Sequence, residues 1–320
     1  MKVKDLQRGE TVVIALGGNA ISPPGSEQYE DQLREIRNTL KGIRKLIHPG
    51  RYRLVFTHGN GPQVGDIFLQ NELTKDSLPR YPLDVCGAQS QGLIGYMLVR
   101  ELRNFLKEDQ ERGVSAILTQ TLVDEDDPAF QEPTKPIGPF YEQEEAGRLK
   151  REEGYEMVED AGRGYRRAVA SPEPRAILEC EQIDSLLEVG SVVVAAGGGG
   201  VPVINKEGDL LGREAVIDKD LASAVLAEGL SASLLLILTS VEYAYLNYGK
   251  KDQRPVKRAD PDQVRRYMEE GHFAAGSMKP KMEAAARFIE SGGKKALITS
   301  IEKAEVALEG KGGTVIAEGE

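Results

Sequence analysis

The 320-residue chain has no tryptophan, two cysteines and three histidines. Cys86 and Cys180 lie far apart and form no metal-ligand spacing with the histidines, so no protein metal centre is expected. Reduced thiols suit a cytoplasmic protein. No apolar run approaches the length needed to cross a bilayer, and the opening "MKVKDLQRGE" lacks the apolar centre of a secretion signal. Positive charge is in deficit: 41 basic against 51 acidic residues leave a net charge of −10, which disfavours a nucleic acid or an anionic membrane as partner. Any bound anion must therefore meet a locally arranged site. The usual phosphate signatures are missing too. No stretch fits G-x-x-x-x-G-K-[ST], and Gly59, Gly61 and Gly65 carry one residue too many for G-x-G-x-x-G. No obvious Ser/His or Cys/His pair offers a nucleophile.

What is present is glycine, 35 residues of it, and an alternation of apolar runs with helical patterns. Strands are expected at Val12 to Leu16, Arg53 to Thr57, Ala116 to Thr121, Val192 to Ala196, Leu234 to Thr239 and Ala296 to Thr299. Helices are expected at Tyr29 to Ile47, Leu93 to Leu106 and Met278 to Ile289, each with apolar positions near a 3.6-residue period. Such alternation predicts βαβ units and an α/β fold, a three-layer αβα sandwich around a mainly parallel open sheet. One segment departs from the pattern. From Asp124 to Pro174 the chain is acidic, carries six prolines and lacks a good strand run. Its mixture "FQEPTKPIGPFY" suits a small packed subdomain, protruding as a lid, better than a linker.

Three strands end in glycine clusters, "ALGGN", "THGNGPQVG" and "AAGGGGVPVI". At the carboxyl ends of parallel strands these would converge on the edge where doubly wound folds bind ligands, bringing bare backbone amides to a small anion. The first loop has no lysine or arginine beside it; position 15 is alanine. Lysines occur instead at three distant places. In "GSMKPKMEAAARF" Lys279 and Lys281 lie at a helix start, where the macrodipole favours an anion and a cation is costly without one. In "EAVIDKDLASAVLAEGL" the trio Asp218-Lys219-Asp220 opens an alanine-rich helix, fit either for a capped, exposed helix start or for Lys219 at a transferring phosphoryl group with Asp220 orienting the lysines. In "PTKPIGPF" Lys135 is held among three prolines. Glycine amides and lysines without a base are what phosphoryl transfer to an anionic acceptor requires. His58, between a strand and Gly59, fits a hydrogen-bonded structural role better than a catalytic one.

The ordered motifs "VIALGGNAI", "THGNGPQVG", "PLDVCGAQSQGLIGYML", "DEDDPAFQEPTKPIGPFY", "AAGGGGVPVI", "EAVIDKDLA" and "GSMKPKMEAA" span about Thr11 to Ile316. Together they resemble the carbamate kinases of the amino acid kinase superfamily. The resemblance implies a sheet of about eight strands and a homodimer. It further implies an N-terminal lobe, residues 1–204, for carbamate or carbamoyl phosphate, with the protruding subdomain at about 124–174, and a C-terminal lobe, 205–320, for ATP or ADP. Relatives such as acetylglutamate kinase have a lysine where Ala15 stands; carbamate kinases bring the charge from the lid, here Lys135. Lys219 and Lys281 would complete the catalytic set, with Asp220 organising them. Gly17, Gly18, Asn19, Gly59, Asn60 and Gly61 would surround the carbamate and the transferring phosphate. Thr239, Ser240, Val241, Tyr243 and Met278 would join Lys219 and Lys281 around the nucleotide. Mg²⁺ would be held mainly by the ATP phosphates and water. Ser240 replaces the family's usual aspartate, and Lys279 a frequent glycine. A superfamily kinase with another small anionic acceptor, or a nucleotide-binding protein without catalysis, remains an alternative reading.

Overall fold

Strand Thr11–Leu16 shows why the sheet forms. All six of its residues are buried, and side chains alternate between faces. Val12, Ile14 and Leu16 enter one apolar core, Val13 and Ala15 the other. Its neighbour Leu234–Thr239 divides likewise, with Leu234, Leu236 and Leu238 on the first face and Leu235 and Ile237 on the second. A sheet buried on both faces needs helices on both, and the computed structural model, which describes residues 6–22, 28–48, 50–108, 112–160 and 162–319, supplies them. Tyr29–Gly42 and Leu83–Phe105 cover one face. Cys180–Glu188, Lys219–Gly229, Pro261–Glu269 and Met278–Glu290 cover the other. The result is the expected three-layer αβα sandwich.

The central sheet has eight strands in the order Arg258–Ala259, Thr314–Ile316, Lys295–Ser300, Leu234–Thr239, Thr11–Leu16, Arg53–His58, Val192–Val194 and Val114–Ala116. Only the pairing of Thr314–Ile316 with Lys295–Ser300 is antiparallel. The parallel strands therefore deliver their following loops, at Gly17, Gly59, Ala195 and Ser240, to one edge. Among the described residues no helix is long and apolar enough to cross a membrane.

Three expectations need correction. The helix read from Tyr29 to Ile47 is interrupted at Ile43 and resumes as Arg44–Ile47, a break that leaves Ile43, Leu46 and Ile47 all buried. The strand read from Ala116 to Thr121 is two short strands in different sheets, Val114–Ala116 and Gln120–Leu122. Between them the Gln91 carboxamide accepts from Thr119 N–H at 2.9 Å and donates to Thr119 O at 3.0 Å, while that carbonyl also accepts from Val201 N–H at 2.8 Å and so joins the second sheet. The acidic excursion does contain strands. Lys135–Tyr141, Tyr165–Val169 and Glu156–Glu159 form an antiparallel sheet, flanked by helix Gln143–Glu152.

This subdomain is docked on the body. Ile137, Tyr155 and Val169 share a core with Val64 and Phe68 of helix Gly61–Thr74. The Arg167 guanidinium lies 4.0 Å from the Tyr155 ring centroid and 4.4 Å from that of Phe68, a cation–π contact with both rings. Gly65 passes so close to the lid that a Cβ there would lie 2.7 Å from Gly138 Cα. The expected lobe boundary at 204 falls inside strand Val201–Lys206, which belongs to a separate four-stranded sheet.

Candidate active site

The first two glycine loops are arranged by the sheet itself. Gly17 N–H donates to Leu238 O at 3.0 Å, and Gly59 N–H to Leu16 O at 3.1 Å. These amides belong to the ladder. Among the described residues no backbone acceptor takes the N–H of Gly18 or Asn60, so the amides facing outward begin one residue later in each loop than the first glycine. Gly17 serves close approach instead, and Gly59 borders the Lys219 stem at ordinary contact distance. A Cβ on Gly17 would lie 2.7 Å from Leu238 O, and one on Gly59 3.5 Å from Lys219 Cδ and 3.9 Å from Gly18 N. Gly61 begins helix Gly61–Thr74, whose early N–H groups extend the positive edge. Asn19 follows Gly18 in the first loop, but its side chain lies outside the described residues.

The third glycine loop does a different job from the one its sequence suggests. Gly197, Gly198 and Gly199 are all buried, and Gly198 has φ +64°. A Cβ on Gly197 would overlap the His58 ring, and one on Gly198 the Asn60 carboxamide. This loop buttresses the second one. His58 is correspondingly structural: 1% exposed, it lies 3.0 Å from Gly59 O through Nδ1. That carbonyl only accepts, so the neutral ring carries its proton on Nδ1. Burial, reinforced by the Lys219 charge and opposed by the Gly59 bond, pushes its pKa down to about 4.

The lysines converge from three elements. Asp218 caps helix Lys219–Gly229 by accepting from Asp220 N–H at 2.9 Å, which fixes Lys219 and Asp220 in the first turn. Asp220, 2% exposed, accepts from Lys219 through Oδ1 and from Lys281 through Oδ2, the latter at 3.2 Å. Lys281 also donates to Ser277 O at 3.0 Å. Lys135 reaches over from the lid to Ile217 O at 3.3 Å and Asp218 Oδ2 at 3.5 Å. Burial alone would raise the Asp220 carboxyl, but the two ammonium charges and their hydrogen bonds outweigh it and hold the group below the ordinary carboxylate range. Burial pulls Lys219 below the usual lysine value, and Lys281 adds to this while Asp220 resists. The carboxylate's depression is the firmer direction, since both its oxygens accept from an ammonium. Lys279, expected beside Lys281, is exposed and separate.

Next to Ser277 opens a cleft of about 130 Å³, smaller than a whole small-molecule site and enough to seat part of a ligand. Thr239, Ser240, Val241 and Met278 line it, together with Tyr245, Tyr248, His272 and Phe273. Tyr243 does not; its ring stands edge-on to Tyr245 with centroids 6.2 Å apart. Ser277, which lines the cleft, accepts from Lys281 through its carbonyl, so the lysine cluster lies beside the cleft wall. Among the described residues no group of three His, Cys, Asp or Glu side chains is placed to hold a metal ion.

A match to the amino acid kinase family model covers residues 10–300. The chain belongs to the amino acid kinase family. Within that family it is similar to the carbamate kinases of Pyrococcus furiosus, 51% identical over 312 residues covering 96% of this chain and 99% of that protein, and of Thermococcus kodakarensis, 50% identical over 309 residues covering 95% and 98%. Among solved structures, carbamate kinase from Giardia lamblia bound to AMP-PNP superposes with a TM-score of 0.89 at 43% identity, over 97% of this chain and 99% of that one. In this amino acid kinase family member, Asp218, legible in sequence only as part of a possible helix cap, is that cap and also receives Lys135. Sequence reasoning missed His272 and Phe273, which carry no local signature beyond aromatic density, whereas Tyr245 and Tyr248 lie in the stretch "LTSVEYAYLNYGK" that the resemblance assigns to the nucleotide.

Proposed function

We propose that the chain catalyses reversible phosphoryl transfer between ATP and carbamate, giving ADP and carbamoyl phosphate. The observation that carries this reading is the buried carboxylate of Asp220 shared by Lys219 and Lys281. It fixes two cations beside the first two glycine loops and next to the cleft that Ser277 lines. A carbamate oxygen attacks the γ-phosphorus in line; the P–O bond to ADP breaks, and the electron pair leaves with the ADP oxygen. The acceptor is already an anion, so no base removes a proton, and none is needed from the neutral, enclosed His58. The work left to the protein is to bring two anions together and balance the charge on the transferring oxygens. Lys135, Lys219 and Lys281 would do this from three sides, with amides of Gly18, Asn60 and Gly61 at the acceptor.

Both oxygens of Asp220 are engaged by lysines, so the site is built for phosphate oxygens and offers no acidic cage. Mg²⁺ fits it only as a companion of the nucleotide, held by phosphates and water, where it would supply further charge neutralisation. On this reading residues 1–204 provide the carbamate side and 205–320 the nucleotide side. A homodimer and a cytoplasmic location are proposed on the same resemblance. The test is coupled ATP formation from carbamoyl phosphate, ADP and Mg²⁺, with acetyl phosphate as control. Turnover selective for carbamoyl phosphate is expected, reduced on the order of 10² to 10³ in Lys135→Ala. Binding of ADP without turnover would overturn the reading.

A further inference from the structure

We infer that Ser90 is a positioning residue that sets the acceptor specificity of the site by fixing the Asn60 carboxamide with its oxygen toward the substrate. This rests on the function proposed above. Ser90, on helix Leu83–Phe105, is fully buried and has a single hydroxyl proton. Its Oγ lies 2.6 Å from Gly87 O, a carbonyl that can only accept, so the proton is committed there. The Asn60 atom 2.9 Å from Ser90 Oγ must then be a donor, which makes it Nδ2. The carboxamide is thereby held in one of its two orientations, and Oδ1 points away from Ser90.

Two further observations say what Oδ1 is for. Asn60 is the N-cap of helix Gly61–Thr74, yet its side chain makes no capping bond, although asparagine is among the best caps. Among the described residues no donor reaches Oδ1, and it is not one of the polar atoms sealed from solvent without a partner. It is an acceptor, in a residue 5% exposed, one position beyond the glycine that packs on the Lys219 stem. Carbamate's two oxygens suit lysines and amides; its amino group, a donor, needs a neutral acceptor. Asn60 Oδ1 is that acceptor. Acetate has the same shape with a methyl in place of the amino group, and its binding would leave Oδ1 dry and unpaired, the condition that gives polar sites their discrimination. A flipped carboxamide would meet the amino group with its own N–H. Ser90 prevents the flip.

The experiment compares kcat/KM for carbamoyl phosphate and for acetyl phosphate, each with ADP, in the parent protein, Ser90→Ala and Ser90→Thr, with thermal melts of each. In Ser90→Ala the preference for carbamoyl phosphate is expected to fall about 10- to 100-fold, through carbamoyl phosphate, while acetyl phosphate changes less than about threefold. Ser90→Thr, which keeps the hydroxyl, keeps the preference even if its added methyl lowers the melting point. An unchanged preference in Ser90→Ala, or an equal fall for both substrates, overturns the inference. Should Ser90→Ala not fold, Ser90→Cys, with a much weaker hydrogen-bonding group, carries the same expectation. A parent protein inactive on carbamoyl phosphate would sink the proposed function, whereas a selective parent with an equally selective Ser90→Ala sinks only this assignment.

Discussion

Replacing Asp220 with asparagine removes the one charge that two buried lysines share. At 3.2 Å and an effective dielectric of roughly 20, the attraction between Asp220 and Lys281 is about 5 kcal/mol. Most of that is offset by the cost of taking the ions out of water. The balance changes when only the carboxylate is neutralised. The lysine side chains, 11% and 13% exposed, stay buried and repel one another, a situation that typically costs about 3–5 kcal/mol. Against a total stability of about 5–15 kcal/mol, Asp220→Asn should be conspicuous in urea unfolding of the ligand-free protein at pH 7. Inorganic sulfate, by supplying the missing negative charge, should raise the variant's unfolding midpoint more than the parent's. Turnover should drop on the order of 10² to 10³ as the ammonium groups lose their aim. The pH dependence has a fixed sign. A carboxyl depressed in the folded state contributes stability above its unfolded pKa and loses it as pH falls through the lower folded value; the variant should lack that acid limb. A stability loss under about 1 kcal/mol with turnover within about threefold would refute the shared-carboxylate account.

Two other outcomes follow from the geometry. His58, with a pKa of about 4 in the fold, stabilises only while neutral, so its contribution is lost as pH falls from about 6.5, where the unfolded ring protonates, toward about 4. The loss is on the order of 3 kcal/mol; unfolding free energies of the parent and His58→Asn measured between pH 4 and 8 should diverge in that window, and a constant difference would be evidence against burial as the cause. In Gly65→Ala the new Cβ would meet the Gly138 backbone at 2.7 Å, forcing the lid off helix Gly61–Thr74 and carrying Lys135 with it. Turnover should fall about tenfold or more while ADP affinity, which the proposed function assigns to the cleft beside Ser277, stays within about threefold; unchanged turnover would mean that lid docking does not position Lys135.

The parallel strands were legible because burial on both faces writes itself as an unbroken apolar run, as in "TVVIAL" and "LLLILT". The lid strands were not. "KPIGPFY" reads as a chain breaker because proline cannot serve a central strand, yet Lys135–Tyr141 is an edge strand with one neighbour, where proline is tolerated. Lys219 and Lys281 were visible as cations placed against local electrostatics, and their common partner Asp220 stood beside one of them in sequence. Ser90 and Gln91 were hidden. A polar residue inside a long helix looks solvent-facing until the turn it braces, around Asn60 or Thr119, is folded against it.

The adjacency of strands Thr11–Leu16 and Leu234–Thr239 has a mechanical meaning. On the proposed function the loop after the first would serve the acceptor and the residues ending the second the nucleotide, so the separation of the two substrates would be ruled by the lattice of the sheet, about 4.8 Å between strands. Sliding or swinging the halves apart would break a ladder that continues through Gly17 N–H into Leu238 O. The central sheet is a fixed jaw, and the approach of one anion to the other is left to the parts that rest upon it: the docked lid carrying Lys135 and the helix carrying Lys281.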